Sequence, residues 1–210
     1  MVTRATKPRR PAGGNQARAD RTRQTVIDET VRYLLDVGFT APSVRRITER
    51  AGLTWGVVQY HFGDLDGLFM AVVDEGLRQL TDVIEQLPAL TDGLDPKMRT
   101  AVVVDAVWPA FASPTSMAAL EILIATRTSR PRAGNAQLAA IHTRFTELGA
   151  HLGTDLDAPH AEAIGNLIWT VLRGMVVAQM VSPVQLDTAR DRQTLIDVLN
   201  AYLQMQGRQR

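Results

Sequence analysis

The chain reads, at residues 27–68, IDETVRYLLDVGFTAPSVRRITERAGLTWGVVQYHFGDLDGL, and this stretch decides the fold. Its first apolar side chains recur at the spacing of one helix face, at Ile27, Val31, Leu34 and Leu35. Gly38 then ends the predicted helix, because glycine readily adopts the left-handed conformation of a helix C-terminus. The stretch therefore opens with a long amphipathic helix.

Two shorter helices follow in the same stretch. Ser43 supplies an N-cap for a second helix, which Gly52 ends. Thr54 caps a third helix, which turns Val58 and Phe62 inward. Two short helices joined by a glycine-containing turn, behind a longer supporting helix, predict a helix-turn-helix.

The outward face of the third helix points to a DNA-binding role. An α-helix is narrow enough to enter the major groove, where the base edges are distinguishable. The side chains expected to project outward are Trp55, Gly56, Gln59 and Tyr60. Arg45 and Arg46 lie in the first turn of the second helix, from which they can reach phosphates or a base edge.

Residues 27–68 resemble the TetR family of regulators. The resemblance is carried by a first helix that ends in Gly-Phe, a second helix of the pattern Ser/Thr-Val-Arg-x-Ile, Ala-Gly-Leu-Thr at the turn, and Tyr-His-Phe closing the third helix. It implies a two-domain, Ω-like homodimer in which the small N-terminal domain binds DNA and the larger C-terminal domain binds a small inducer. The last two long helices would pair with their mates, and the inducer would respace the two recognition helices so that DNA is released.

The resemblance also implies roles for single residues. The positions that match family contacts to DNA are Ser43 and Arg45 in the second helix, Thr54, Trp55 and Gly56 at the start of the third, and Tyr60 and His61 facing the DNA backbone. Gln59 stands where tyrosine is usual, and Leu65 stands where a lysine usually contacts phosphate. We therefore expect weaker nonspecific affinity, with the basic N-terminus compensating, and an operator choice that depends on Gln59, since glutamine can form paired hydrogen bonds to adenine.

Some of these residues keep a second interpretation. Trp55 either contacts the groove or packs sideways onto its own domain, because an exposed indole is costly. His61 either donates to a phosphate or lies in the core beside Phe62. Glu49 and Arg50 are expected to be solvated surface residues.

Charge divides the chain into two regions. Residues 1–65 carry 11 Lys and Arg against 6 Asp and Glu, whereas residues 66–210 carry 12 against 16. A basic N-terminal third on an acidic body indicates that the first region meets a polyanion. Residues 1–19 are rich in Arg, Pro and Gly with little that can pack, so we predict a flexible basic arm there.

Composition restricts the compartment. Cysteine is absent, which excludes disulfides and thiolate metal sites and fits a reducing environment. The N-terminus lacks the apolar segment of a secretory signal, and no run approaches the roughly 18 apolar residues of a membrane span. We therefore expect a cytoplasmic protein that does not bind membranes.

Beyond residue 62 the apolar spacing stays helical. Predicted helices lie at 65–87, 97–111, 115–127, 135–152, 159–181 and 188–205, and no segment alternates convincingly with the period of a strand. The predicted fold class is therefore all-α. Its predicted parts are the arm 1–19, a three-helix DNA-binding domain 20–66, and a larger helical domain 67–210 for effector binding and dimerisation.

The last two predicted helices carry the expected dimer interface. The helix at 159–181 is apolar nearly all round, so it must be covered on more than one side, by its own core and by a partner. Gly165 and Gly174 would permit close helix approach. The predicted interface residues are Ile164, Ile168, Val171, Leu172, Met175, Leu195, Leu199 and Tyr202. A homodimer also suits a helix-turn-helix, since two half-sites multiply a weak single contact.

An effector pocket is expected among aromatic and isolated polar residues of the larger domain. Ligand pockets are mostly apolar with a few placed polar groups. The candidates, each of which can also be plain core packing, are Trp108, Phe111, Met117, Glu121, Phe145, Trp169 and Arg173. A buried Glu121 would need a partner, either Arg173, another side chain or a cationic ligand. The effector itself is expected to be small and apolar or amphipathic.

Catalytic motifs do not occur in the sequence. It contains no phosphate loop, dinucleotide fingerprint or nucleophile elbow. Asp155, Asp157 and His160 are close together, but a solvated loop is favoured over a metal site there. We expect no enzyme activity, metal or cofactor. A ligand-responsive repressor is the first hypothesis; a regulator of this fold without a small effector, and a helical enzyme or binding protein with a vestigial motif, remain open.

Overall fold

A computed structural model describes residues 13–39, 44–128, 139–140, 143–144, 146–148, 150–151 and 160–207. In these ranges we number the helices α1 (Gly13–Val37), α2 (Val44–Ala51), α3 (Trp55–Phe62), α4 (Leu65–Ile84), α5 (Leu87–Thr91), α6 (Pro96–Phe111), α7 (Pro114–Ala125), α8 (Ala161–Val181) and α9 (Ala189–Gly207). The described residues of the stretch 139–151 are also helical. No strand occurs in the described ranges, and the all-α prediction is confirmed.

Helix α1 begins earlier than the sequence analysis predicts. It starts at Gly13, so the later part of the predicted flexible arm, residues 13–19, is helical, and the prediction is wrong there. The side-chain amide of Gln16 donates to Asp20 (3.0 Å) and the Thr22 hydroxyl donates to the carbonyl of Arg18 (3.0 Å), both across one helical turn. These i,i+4 contacts extend the helix although few apolar residues are present to mark it. Residues 1–12 lie outside the described residues.

The predicted helix 65–87 is divided in two. Helix α4 ends at Ile84, and a short α5 starts at Leu87 with Pro88 in its first turn. The predicted helix stops before Pro88, but proline is well tolerated at a helix start, where its missing N–H has no intrahelical partner to lose. Leu87 is fully buried, so α5 anchors its own first turn in the core.

The structure divides into two compact units, Met1–Val72 and Val73–Arg210. In the first unit, α1 contacts both α2 and α3, and α2 contacts α3. The fully buried residues of this unit come from all of its helices and include Val26, Ile27, Leu34, Ile47, Val58 and Leu68. Leu35, predicted on the buried face of α1, is 41% exposed, because Ile27, Val31 and Leu34 already fill that face.

The connection from α3 to α4 depends on a glycine. Asp64 caps α4, since its side-chain carboxylate accepts from the N–H of Gly67 (2.8 Å). A Cβ at Gly67 would lie 2.0 Å from the carbonyl oxygen of Phe62, a distance that real Cβ atoms do not show. The end of α3 therefore approaches α4 so closely that only glycine fits.

In the second unit, α6 is the central helix and contacts α5, α7, α8 and α9. Its buried residues Val103, Val104 and Val107 pack in a core with the fully buried Ile122 of α7, Ile168 and Leu172 of α8, and Leu199 of α9. Helix α7 starts with a break of two residues after α6 and is bent by 68° relative to it. Ser113 caps α7, since its hydroxyl accepts from the N–H of Ser116 (3.1 Å).

Helix α8 is apolar on more than its core face. By length and composition it is the one helix among the described residues that could cross a membrane alone, which the sequence analysis did not anticipate. The buried side chains on one face of α8, among them Ile168 and Leu172, make it a core helix of the second unit, and core helices share this composition.

Candidate functional site

The turn between α2 and α3 is closed by backbone hydrogen bonds. The N–H of Gly52 donates to the carbonyl of Glu49 (3.2 Å), and the N–H of Leu53 donates to the carbonyl of Thr48 (2.9 Å). Gly52 has φ +64°, a conformation that glycine adopts without the strain of a side chain. The turn therefore needs glycine at this position, as the sequence pattern predicts.

Arg50 ties α2 to the supporting helix. Its guanidinium donates to Asp36 at 2.8 Å, lies 3.7 Å from Glu29, and sits 6.0 Å from the centre of the Tyr33 ring. The hydrogen bond to Asp36 raises the pKa of Arg50. Arg50 is exposed, as expected of a surface residue, and it also pairs with Asp36; the acidic residues in the second half of α1 were the pattern that could have revealed this contact.

Helix α3 is held from the other side by an arginine of α1. The Arg23 guanidinium lies 5.4 Å from the centre of the Phe62 ring, in a cation–π arrangement. Phe62 is half-buried and Val58 is fully buried, so the inward face of α3 agrees with the prediction. These contacts hold the inward face of α3 in its unit, so the opposite face of the helix points outward.

That outward face carries the predicted DNA-contacting residues of α3. Gln59 is exposed, Tyr60 is 84% exposed, and Trp55 is exposed over 40% of its surface. His61 is half-buried and meets the Tyr60 ring edge to face, with the ring centres 5.0 Å apart. An aromatic residue as exposed as Tyr60 has no folding role that the described contacts explain, which is typical of a binding surface.

Two residues at the start of α3 leave backbone accessible. Thr54 occupies the N-cap position with extended φ and ψ, but its side chain makes no capping hydrogen bond, contrary to the predicted cap; its carbonyl accepts from the N–H of Val57 (3.1 Å) instead. Gly56 is exposed, and a Cβ there would meet only the Thr54 hydroxyl, at 3.8 Å. The missing side chain at Gly56 is thus not required for packing and leaves room for a ligand to approach the helix.

Helix α2 contributes exposed cations beside α3. The Arg45 side chain is 86% exposed and its Nε donates to Glu49 at 2.8 Å, a hydrogen bond that raises the pKa of Arg45. Arg46 is also exposed. Ser43, the remaining predicted contact, lies outside the described residues.

The second unit holds a cavity of about 300 Å³ between α4, α7 and α8, which we call the α4–α7–α8 cavity. Helix α4 lines it with Val73, Gly76, Leu77 and Leu80, and α7 with Ser116, Ala119, Leu120, Leu123 and Ile124; Arg127 follows, and Phe111, Trp169, Arg173 and Val176 complete the wall. A Cβ at Gly76 would lie 3.4 Å from that of Ala119, an ordinary van der Waals contact, so α4 and α7 pack closely beside the cavity. The Phe111 and Trp169 rings meet edge to face, 4.7 Å between centres.

The cavity contains only part of the predicted pocket. Phe111, Trp169 and Arg173 line it, whereas Trp108, Met117 and Glu121 do not. The Trp108 ring instead lies 5.1 Å from the Arg192 guanidinium of α9. Glu121 is half-buried and does not line this cavity, so a contact between Glu121 and a ligand, one of the partners considered for it, stays a prediction. Phe145 lies outside the described residues.

A second, more polar groove lies between α4 and the helical residues of the stretch 139–151. It has a volume of about 620 Å³ and mixes acidic and basic side chains, including Asp74, Arg78, Glu147 and His151. Arg78 is paired with Glu75 (2.7 Å) and also contacts Asp82. Carboxylates from outside the lining therefore neutralise Arg78, and acidic side chains face the groove beside its arginines.

The predicted dimer interface needs correction. Five of its residues are already buried inside the single chain and pack its core: Ile164, Ile168, Leu172, Leu195 and Leu199. The prediction merged two adjacent apolar faces of α8 and α9, and the more buried one belongs to the chain's own core. Val171, Met175 and Tyr202 are half-buried and lie beside the exposed apolar side chains.

The exposed apolar side chains form one stripe on each of the last two helices. On α8 the stripe follows Leu167, Val171, Gly174, Ala178 and Val181, at the spacing i, i+4, i+7, i+11 and i+14. On α9 it follows Val198, Ala201, Tyr202 and Met205. Val181 is 77% exposed and Val198 is 57% exposed.

Metal-binding clusters are not found among the residues that the structure describes. His160 starts α8 with a left-handed backbone (φ 58°), while Asp155 and Asp157 lie outside the described residues.

Comparisons with known proteins agree with this arrangement. The chain is 24% identical over 193 residues to the HTH-type transcriptional regulator BetI 1 of Chromohalobacter salexigens, which covers 86% of this chain and 90% of that protein. A TetR-family transcriptional regulator from Mesorhizobium loti MAFF303099 has a similar structure, with TM-score 0.70 and 17% identity over 90% of this chain and 98% of that one. NalD, the secondary repressor of the MexAB-OprM multidrug efflux pump in Pseudomonas aeruginosa, matches with TM-score 0.58 and 20% identity over 87% and 96%.

No protein-family model matches the chain. The structural likenesses have low sequence identity and establish the fold, whereas the likeness to BetI 1 extends the sequence relationship over most of the chain. They confirm the resemblance carried by residues 27–68. In fold and in sequence, the chain is therefore similar to the TetR family of helix-turn-helix regulators.

Proposed function

We propose that this chain is a sequence-specific DNA-binding transcriptional repressor that acts as a homodimer in the cytoplasm and releases its operator when a small molecule binds. The observation that carries the proposal is the outward face of α3, where Gln59 and the 84% exposed Tyr60 project from a helix fixed by Val58 and Phe62. Such a helix fits the major groove, and its polar side chains can contact base edges and phosphates.

The proposed contacts divide into two groups. Trp55, Gly56 and Gln59 face the bases, while Tyr60, His61, Thr54, Ser43, Arg45 and Arg46 contact the DNA backbone or position the helix on it. Contacts to phosphate set affinity and salt dependence, whereas contacts to base edges set the choice of operator.

The proposed dimer uses the exposed stripes of α8 and α9. Leu167 and Val181 on α8 and Val198 and Met205 on α9 are large apolar side chains at 46–77% exposure. A second copy of the chain would remove them from water, and the open space around Gly174 would let two α8 helices approach. The Ω-like arrangement that the family implies stays a prediction.

Sedimentation equilibrium tests the dimer. We expect the protein to be dimeric at micromolar concentration and Val198→Asp to be monomeric, because a carboxylate in an apolar interface is costly to bury. Gln204→Asp on the exposed polar side of α9 is the matched control and should stay dimeric. A monomeric native protein, or a dimer unaffected by Val198→Asp, would contradict this interface.

The proposed effector site is the α4–α7–α8 cavity. A sealed helical core would have favoured a regulator without a small ligand, but this cavity lies at the lower end of the range of about 300–1,000 Å³ for ligand pockets. NalD, which has a similar fold, is a repressor, and this supports the same sign of regulation here. A reporter gene behind the operator tests that sign: the reporter should be silenced by the chain, and activation instead would identify an activator.

A further inference from the structure

We propose that the α4–α7–α8 cavity binds a compact amphipathic anion, with its carboxylate on Arg127 and Arg173 and its apolar part against Phe111 and Trp169. The ligand class is inferred from the cavity alone. Only the ligand's role as the effector rests on the proposed function. The ligand class follows from two features of the cavity, its apolar wall and the sign of its charges.

The apolar wall is continuous across three helices. One face of α4 lines the cavity, because its lining residues have the spacing i, i+3, i+4 and i+7: Val73, Gly76, Leu77 and Leu80. On α7, Leu120, Leu123 and Ile124 line the cavity at i, i+3 and i+4, and Arg127 follows in the turn after the helix. A ligand tail would therefore meet aliphatic side chains on two sides and the Phe111–Trp169 pair on a third.

The charges on the wall have one sign. Among the residues that the structure describes, Arg127 and Arg173 are the only titratable side chains in the lining, and no described Asp or Glu lines it. Arg173 is half-buried one turn after Trp169 on α8, and it forms no ion pair with a residue that the structure describes. A partly buried cation without a carboxylate partner favours an anion beside it.

The Arg127 guanidinium has more N–H donors than its hydrogen bond to Ile124 uses. Its Nη1 donates to the carbonyl of Ile124 (2.8 Å) near the end of α7, which fixes the side chain over the cavity. A guanidinium has five N–H donors in a planar fork that matches a carboxylate. The remaining donors of Arg127 have no hydrogen-bond partner in the part of the chain that the structure describes.

The sequence around Arg127 is also positively charged, like the charged side chains of the cavity wall. No Asp or Glu occurs between Glu121 and Glu147, while Arg127, Arg130, Arg132 and Arg144 fall in that interval. The polar groove between α4 and the stretch 139–151 is different, because acidic side chains line it beside its arginines. Preference for an anion is thus expected of the α4–α7–α8 cavity and not of that groove.

Three probes with the same eight-carbon tail test the head-group preference: octanoate, 1-octanol and octylammonium. Isothermal titration calorimetry on the full-length protein at neutral pH should show octanoate binding at least about tenfold more tightly than 1-octanol, and octylammonium more weakly than either. Equal affinity for the three probes, tighter octylammonium binding, or no detectable octanoate binding at millimolar concentration would overturn the proposal.

Matched variants locate the binding. Arg173→Gln and, separately, the more exposed Arg127→Gln should each weaken octanoate binding by about tenfold, with 1-octanol changed less than about twofold. Arg173→Lys should keep part of the preference, because it keeps the charge but not the fork. Arg190→Gln, an exposed arginine of α9 outside the cavity, is the control and should bind octanoate normally.

A variant that fills the cavity separates this site from others. Leu123→Trp should abolish binding of both octanoate and 1-octanol, provided that its melting temperature shows it to be folded. Octanoate binding that survives in the folded variant would place the anion elsewhere and overturn the proposal.

Operator release is measured separately on the protein–DNA complex. If octanoate binds with the expected preference but does not release DNA, the ligand class stands and the effector role fails. If an uncharged or cationic compound binds the cavity and releases DNA while octanoate does not bind, the effector role stands and the ligand class fails.

Discussion

The two units of this protein place the residues of their proposed binding sites in opposite environments. In the first unit, Gln59 and Tyr60 face outward on α3, and the apolar residues behind them serve only to hold that helix. In the second unit, Phe111, Trp169 and Arg173 turn toward a cavity enclosed by helices that are distant in sequence. The comparison teaches that a surface site depends on the spacing within one helix, whereas a cavity depends on how several helices pack.

The connection from α3 to α4 gives the largest expected effect. Gly67→Ala would place a Cβ 2.0 Å from the carbonyl oxygen of Phe62, so we expect a loss of roughly 2–3 kcal/mol in the free energy of unfolding. Hydrogen exchange should show lost protection in α3 and unchanged protection in α8. Gly56→Ala, where a Cβ meets only the Thr54 hydroxyl at 3.8 Å, is the stability control and should gain about 0.5 kcal/mol. Equal stability of the two variants would contradict the close approach at Gly67.

Replacement of Gln59 should alter operator choice without altering the fold. Gln59→Ala should reduce discrimination between the best operator and its single-base variants by about 1–3 kcal/mol, because a paired hydrogen bond to adenine is lost. Fluorescence anisotropy with the operator and its variants measures this discrimination. If the variant keeps the same ranking and the same differences, Gln59 does not contact a base.

Gly56 should separate stability from DNA binding. Gly56→Ala should stabilise the first unit by about 0.5 kcal/mol, because alanine is the better helix former and its Cβ meets only the Thr54 hydroxyl at 3.8 Å. The same methyl group should weaken operator binding, since it occupies the space through which DNA approaches the helix. Thermal unfolding and anisotropy on one preparation test both effects; unchanged affinity would remove Gly56 from the interface.

The Arg45–Glu49 pair should give the smallest effect. Glu49→Gln frees Arg45 from its carboxylate and removes a negative charge beside the DNA, so affinity at low salt should rise by about two- to threefold. The gain should fade as salt screens the exposed charges. Glu85→Gln, an acidic residue of the second unit, controls for net charge and should leave affinity nearly unchanged; an equal gain there would mean that only the overall charge matters.

The fold of the first unit could be predicted closely because the residues that end its helices can be recognised from the local sequence. Gly38, Gly52 and Gly63 all have positive φ at helix ends, and spacing alone assigned Val58 to the core. The start of α1 was missed because side-chain amide and hydroxyl contacts, rather than apolar spacing, extend that helix to Gly13.

The second unit was harder to predict from the sequence because one apolar helix can pack against its own core and also expose an apolar stripe. Helix α8 is apolar toward its own core and along an exposed stripe, and composition does not tell the two apart. The predicted interface therefore took in Ile168 and Leu172, which the chain itself buries. In the same way Glu121 drew attention as a charge among apolar residues, although only the packing of α4, α7 and α8 shows that it misses the cavity.

The most direct test of the central claim is selection of bound sequences from a random DNA pool by the purified protein. The account predicts a palindrome whose half-site centres lie about one helical turn, 10–10.5 base pairs, or a multiple of it apart, because two copies of α3 read successive major grooves. Gln59→Ala should weaken this enrichment while keeping its melting temperature, since the side chain is exposed. Retention of DNA without sequence preference, falling only with salt, would contradict the account.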